Sequence, residues 1–243
     1  MKEPSAFRAL FDLARAGNFP SVASNVLAAL VLSSETATIF PAWSLFALAT
    51  LAGCLVYAGG ASFNDVFDAG FDARHRPERV IPLGIISRRS AGIVAAFEML
   101  LGLALLVYLG AFPRWVLELA VTILVYDWLH KRWIGSVVLM AGCRVFLALA
   151  VASIVSPKLL TTPFLGWVSA LFIYIVALSL IARWEYKPGA PAAKIGRSVG
   201  RLLAFIPLID AIALLLVGAW LPALACALAV PLGRLAQRLA AST

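Results

Sequence analysis

Residues 43–72 read WSLFALATLAGCLVYAGGASFNDVFDAGFD, and the stretch changes character at Asn64. Residues 43–63 carry no Asp, Glu, Lys or Arg. At about 1.5 Å per residue they are long enough, as a helix, to cross a hydrocarbon core of about 30 Å. Residues 64–72 then bring together Asp65, Asp68 and Asp72, three of the chain's 12 Asp and Glu. On a helix that continues past the span these acids fall at i, i+3 and i+7, so their carboxylates share one face. The stretch is therefore read as a membrane-crossing helix that ends in a one-sided row of acids.

The rest of the chain repeats the apolar half of that pattern. Of 243 residues, 63% are apolar and only 13% charged, with a mean hydropathy of +0.96. That composition excludes a soluble enzyme, a disordered regulator and a secreted scaffold. Apolar runs predict eight helical crossings: 19–40, 43–63, 91–110, 114–130, 134–156, 163–183, 200–220 and 221–236. The first is polar for a span, with Ser21, Ser24, Asn25, Ser33 and Ser34, and the last is short and broken by Pro231. The expected fold class is all-α, a polytopic membrane bundle of about eight helices in a single domain, 1–243. Before the first span, Phe7, Leu10, Phe11 and Ala14 share a helical face, which suits a short helix lying on the membrane surface or capping the bundle. Cys54, Cys143 and Cys226 are far apart in apolar runs and suggest neither a disulfide nor a zinc site.

Of the 20 Lys and Arg, all except Arg114, Lys158 and the intramembrane Arg144 fall on one side of this span order. The bias places both termini and the acidic row in the cytoplasm. It accounts for the net charge of +8 without nucleic acid as a partner. The two long loops on that side follow spans two and six, a spacing that fits two four-helix halves related by an internal repeat.

Three carboxylates on one helical face repel one another unless something cationic sits between them. Hard oxygen donors in this arrangement suit Mg²⁺, which is commonly held by one or two carboxylates together with substrate phosphates. A solvated acidic helix end is the alternative, although negative charge at a helix C-terminus opposes the macrodipole.

The run Asn64-Asp65-x-x-Asp68-x-x-x-Asp72, followed by residues 77–87 (PERVIPLGIIS), resembles the first signature of the UbiA superfamily of intramembrane prenyltransferases. Residues 126–132 (YDWLHKR) resemble the family's Tyr-x-x-x-x-Lys-Arg segment, and residues 15–18 resemble the stretch before its first helix. The resemblance covers residues 15 to 185. It implies a helical bundle around a central cavity, a prenyl diphosphate donor, a lipophilic acceptor, membrane lipids as surroundings and Mg²⁺ as cofactor. By the same resemblance Asp65, Asp68 and Asp72 hold the metal and, with Lys131, form the catalytic set. Asn18, Asn64, Arg79 and Tyr126 are then expected to bind substrate.

Two departures accompany these matches. The family's second acidic motif, Asp-x-x-x-Asp after the sixth helix, corresponds here to residues 181–188 (IARWEYKP), with Glu185 as its one acid. The resemblance also implies nine helices where eight are predicted. Arg183 and Lys187, with Lys194, Arg197 and Arg201 nearby, are cations able to neutralise a diphosphate in place of a second metal, or they simply obey the charge bias. Arg144 is costly in lipid and is expected to face the diphosphate site or an acidic partner. Glu98, Glu118 and Asp210 are further cavity candidates; Glu118 can pair with Arg114, and Asp127 with Lys131, at i, i+4.

The leading functional expectation is an Mg²⁺-dependent transferase moving a prenyl group from its diphosphate to an acceptor. A UbiA-like protein that binds or transports an amphiphilic metabolite, as proposed for EboC-like relatives, is the alternative from another class. A membrane terpene cyclase is the third.

Overall fold

The computed structural model describes residues 6–34, 40–156, 161–184 and 192–240. All regular structure among them is helical. A short helix α1 (Ala6–Leu13) and a single 3-10 turn (Ala16–Asn18) lead into eight long helices. These are α2 (Phe19–Ser33), α3 (Trp43–His75), α4 (Arg88–Tyr108), α5 (Pro113–Leu129), α6 (Ser136–Val155), α7 (Thr162–Arg183), α8 (Ala192–Leu216) and α9 (Trp220–Leu239). Prolines in the first turns of α2, α5 and α7 occupy positions where a missing N–H costs nothing. The Ser87 and Thr161 side chains cap α4 and α7 by accepting from the backbone N–H of Ser90 and Phe164.

Among the described residues seven helical segments are long and apolar enough to cross a membrane, α2 counted with the turn before it as Ala16–Ser33; α5, with 17 residues, is marginally shorter and packs among them. Two predicted boundaries are corrected, those of the first and last crossings, while the second helix continues past its span as expected. The first crossing is helical only to Ser33, with residues 35–39 outside the described set. The second helix runs on to His75, about 50 Å in all, so its acidic end projects beyond a 30 Å hydrocarbon core. The last helix is not broken at Pro231 but continues from Trp220 to Leu239, braced along its length by α8. Flanking structure of this kind makes an interior proline tolerable in a membrane helix.

Seven helices, α3 to α9, follow one another in contact, and α2 packs inside them against α3, α6, α7, α8 and α9. This explains why the first span can be polar. Some 78% of α2 is buried in protein, against 28% for α4, α7 and α9, so its Ser and Asn side chains meet helices rather than lipid. The closest helix contact is α3 on α4. A Cβ on Gly59 would lie 2.7 Å from the Met99 backbone N, and one on Gly102 would lie 2.8 Å from the Ala52 carbonyl. Glycine at both positions lets the two backbones touch and fixes the start of the acidic row against α4.

Candidate functional site

Asp65, Asp68 and Asp72 are all buried, on the face of α3 turned toward the bundle. Their mutual repulsion is met by side chains from three separate segments. Arg15 donates to Asp65 at 2.7 Å, and Arg79 bridges Asp65 at 2.6 Å and Asp72 at 3.1 Å. Lys131 Nζ lies 3.2 Å from Asp68 Oδ2, with His130 Nε2 at 3.0 Å from the same oxygen. The Lys131 ammonium also sits 4.2 Å from the centre of the Phe71 ring, itself stacked on His75.

Arg15 is placed by its backbone. It adopts φ 48° and ψ 45°, a left-handed conformation unusual outside glycine, at the junction of α1 and the 3-10 turn. Backbone strain of about 1 kcal/mol or more is held at functional positions when surrounding contacts over-determine it. Here those contacts are Asp65 and, at 3.1 Å, the Asn64 amide oxygen. Burial works against the charge of the guanidinium, yet the neighbouring Asp65 carboxylate more than offsets this and holds its pKa above the ordinary value.

Asn64 continues the chain of contacts. Its Nδ2 donates to Asp127 Oδ1 at 3.1 Å, which with Arg15 on its oxygen fixes the amide orientation. Tyr126 stacks on His130. These residues close one end of a cavity of about 90 Å³ between α3, α5 and α6, whose walls are mainly apolar, among them Val56, Leu119, Ile123 and Leu147. Tyr57 forms part of the wall, held by a hydrogen bond from Asn18 at 2.9 Å and by the Arg144 guanidinium 5.3 Å from its ring centre. Beside Asp65 opens a wider basin of about 440 Å³, lined by Arg8, Arg15, Arg76, Arg79 and Arg238 together with the acids Asp12, Asp65 and Glu78. Arg15 lines both the apolar cavity and this arginine-rich basin.

The other expected residues divide. Arg144 lines the cavity and is anchored to Asn25 Oδ1 at 2.7 Å and Ser21 Oγ at 3.1 Å. Asn25 in turn donates to Asp210, which also accepts from Ser24 and Trp167, so Asp210 belongs to a fully bonded cluster between α2, α7 and α8. Arg183 donates to the carbonyls of His130 and Trp133 and to Ser136 Oγ, tying the end of α7 to the turn that carries Lys131. Glu118 pairs with Arg114 on an exposed surface, and Glu98 accepts from Ser62 at 3.3 Å. Glu185 and Lys187 lie outside the described residues. Arg15 and His130 were not singled out from the sequence as site residues; their only signal was that they lie within stretches 15–18 and 126–132, which resemble the family's.

The donor set suits a hard divalent cation. Asp72 Oδ1 is buried without a hydrogen-bond partner, and all three acids offer only carboxylate oxygens. Among the described residues no group of three or more His, Cys, Asp or Glu side chains is placed to hold a metal ion, so the three carboxylates do not form a complete metal site on their own, and substrate oxygens would have to complete the coordination.

Comparison with known proteins gives relatives in sequence and in fold. The chain is 30% identical over 145 residues to digeranylgeranylglyceryl phosphate synthase of Methanopyrus kandleri, covering 57% of this chain and 52% of that protein. It is 36% identical over 105 residues to the synthase of the same name from Thermococcus gammatolerans, 38% of which is covered. The chain thus matches about half or less of the length of these relatives. Its fold superposes on a solved structure concerned with digeranylgeranylglyceryl phosphate synthase in membranes, with a TM-score of 0.63 at 16% identity, covering 96% of this chain and 95% of that one. A UbiA homologue from Archaeoglobus fulgidus, solved with DMAPP and Mg²⁺, gives 0.55 at 13% identity, covering 93% and 86%. The sequence model of the UbiA prenyltransferase family matches residues 23–242, and this integral membrane protein belongs to that family.

Proposed function

We propose that this single-domain chain transfers a prenyl group from a prenyl diphosphate to a lipophilic acceptor within the membrane, with Mg²⁺ as cofactor. The observation that carries the reading is the buried row of Asp65, Asp68 and Asp72 with Arg15, Arg79 and Lys131 drawn onto it, Arg15 also lining both an arginine-rich basin and an apolar cavity. Asp65, Asp68 and Asp72 are the residues that would hold the metal, whose contribution is to neutralise the diphosphate as its charge grows.

Arg79 and Lys131 are paired with carboxylates and are equally suited to phosphate oxygens, Arg through bidentate contacts. An incoming diphosphate offers them an exchange of one anion for another, without leaving a buried charge unpaired. Breaking a buried pair outright costs about 3–5 kcal/mol, which the exchange avoids. The neighbouring cavity shelters the reacting end of the isoprenoid from water. Tyr57 and Tyr126 line the cavity and bring aromatic rings near a developing carbocation. Asn18 and Arg144 set the position of Tyr57, and Asn64 sets that of Asp127. As the resemblance implies, Arg183, Glu185 and Lys187 would bind the leaving diphosphate. By the bias of Lys and Arg, both termini and the acidic row face the cytoplasm.

The names of the relatives direct the first substrate pair to test, geranylgeranyl diphosphate with geranylgeranylglyceryl phosphate. The purified protein in lipid nanodiscs is expected to release diphosphate and form prenylated product with Mg²⁺, and to do neither with a chelator. Donors of several chain lengths that bind and stay intact would overturn the transferase reading in favour of a carrier. Diphosphate release with a cyclic hydrocarbon and no acceptor would favour the cyclase. Cysteine labelling tests the orientation: positions 75–90 and 188–198 should react only from the cytoplasmic side.

A further inference from the structure

Asp127 is a buried carboxylate that the scheme above leaves without a task. Its residue is 4% exposed and it lines the apolar cavity on the α5 side. The two oxygens are treated differently. Oδ1 accepts from Asn64 Nδ2 at 3.1 Å, and that amide is itself fixed by Arg15 on its oxygen. Oδ2 is buried without a hydrogen-bond partner, one of three such side-chain atoms among the described residues. A buried carboxylate oxygen with no partner forfeits the hydrogen bonds it would make to water, so a ligand that supplies a donor there is favoured. The wall around it is mostly hydrocarbon, which suits a lipid, and the atom it lacks is a proton donor, which suits a hydroxyl.

We propose that Asp127 is a catalytic residue: its Oδ2 receives the hydroxyl group of a lipid alcohol acceptor and takes the proton as the prenyl ether forms. This deepens the transferase reading and rests on it. In the step, the allylic C–O bond of the donor breaks and its electron pair leaves with the diphosphate. A lone pair of the acceptor oxygen forms the new C–O bond, the O–H proton passes to Asp127 Oδ2, and the carboxylic acid so formed later returns that proton to water. Charge and atoms balance without any further reactant. Asn64 is a positioning residue in this step, since it pins Oδ1 and thereby leaves Oδ2 as the oxygen without a partner.

Asp127→Asn tests the assignment with the shape preserved. Because Asn64 offers an N–H, the new amide must turn its oxygen toward Asn64 and its NH₂ toward the cavity, replacing a proton acceptor by a donor. Two readouts are compared in nanodiscs: transfer from geranylgeranyl diphosphate to geranylgeranylglyceryl phosphate, and scrambling of a heavy-oxygen label between bridging and non-bridging positions of the donor, which reports ionisation without transfer. Transfer should fall by about a hundredfold or more, the usual loss on removing a general base, while donor affinity and label scrambling stay at wild-type values. Asp127→Ser, smaller and also unable to take the proton, should behave the same way and guards against a folding defect peculiar to the amide. Transfer within about threefold of wild type in either folded variant overturns the assignment. So does a parallel loss of donor binding and scrambling, which would make Asp127 part of the diphosphate site. A wild-type protein that leaves every donor intact overturns this proposal and the transferase reading together.

Discussion

The bundle contains two groups of buried carboxylates, and they are satisfied by different kinds of partner. Asp210, 0% exposed, is bonded through both oxygens to short neutral donors on other helices: Ser24 and Asn25 of α2, and Trp167 of α7. Asp65, Asp68 and Asp72 are held chiefly by long cationic side chains from helix ends and loops, and Asp72 Oδ1 and Asp127 Oδ2 have no partner. Short neutral donors on packed helices cannot leave without unpacking the core. Long cations can swing to another anion at little conformational cost. The first arrangement joins helices together, whereas the second is ready to exchange partners with a ligand.

Substitutions that affect the two groups differently test this contrast. The largest effect is expected for Asp72→Asn, which removes an anionic oxygen and almost no volume. Turnover should fall by about a thousandfold, with Mg²⁺-dependent donor binding lost and thermal stability nearly unchanged. Wild-type donor affinity in this variant would remove Asp72 from the site. Asp210→Ala should do the opposite. It strands Ser24, Asn25 and Trp167 and is expected to cost about 3 kcal/mol of stability, measured by unfolding in detergent, while the folded fraction keeps near-normal donor affinity. A stable Asp210→Ala protein with impaired donor binding would reverse the roles given to the two groups.

Arg183→Ala probes the boundary between them. Arg183 holds the turn that carries Lys131, so turnover should drop about tenfold with only a small change in donor affinity. An equal loss in affinity would mean that the guanidinium itself contacts the donor. The smallest effect is expected for Arg114→Ala. Its pair with Glu118 is 3.9 Å long and exposed, so stability should change by less than about 0.5 kcal/mol and turnover not at all. A measurable loss of activity there would extend the site to the opposite end of the bundle.

Most of the helical order was legible in the sequence because uninterrupted apolar length is a local property and membrane spanning demands it. Boundaries failed where other helices supplied the missing partners, as at Pro231, whereas the run of the second helix past residue 63 was legible from its helical row of acids. The acidic row was legible because helical periodicity alone puts Asp65, Asp68 and Asp72 on one face. Arg15 was not: it lies 50 positions from Asp65, and its side chain reaches the row only through a left-handed turn that its own sequence does not announce. Asp127 and Lys131 read equally well as a simple i, i+4 pair. The fold instead sets Lys131 against Asp68 and Asn64 against Asp127.

By itself the sequence determined a membrane bundle of apolar helices and a carboxylate face on the second long one, since both follow from residue type and a 3.6-residue period. It also determined that this face needs cations, because like charges one turn apart repel in any fold. Only the tertiary structure decided which cations answer, that the polar α2 sits inside the other helices, and that one oxygen of Asp127 is left over in an apolar cavity. Those outcomes depend on side chains far apart in sequence arriving at the same buried place, where a low dielectric makes each pairing, and each missing partner, count for much more than it would in water.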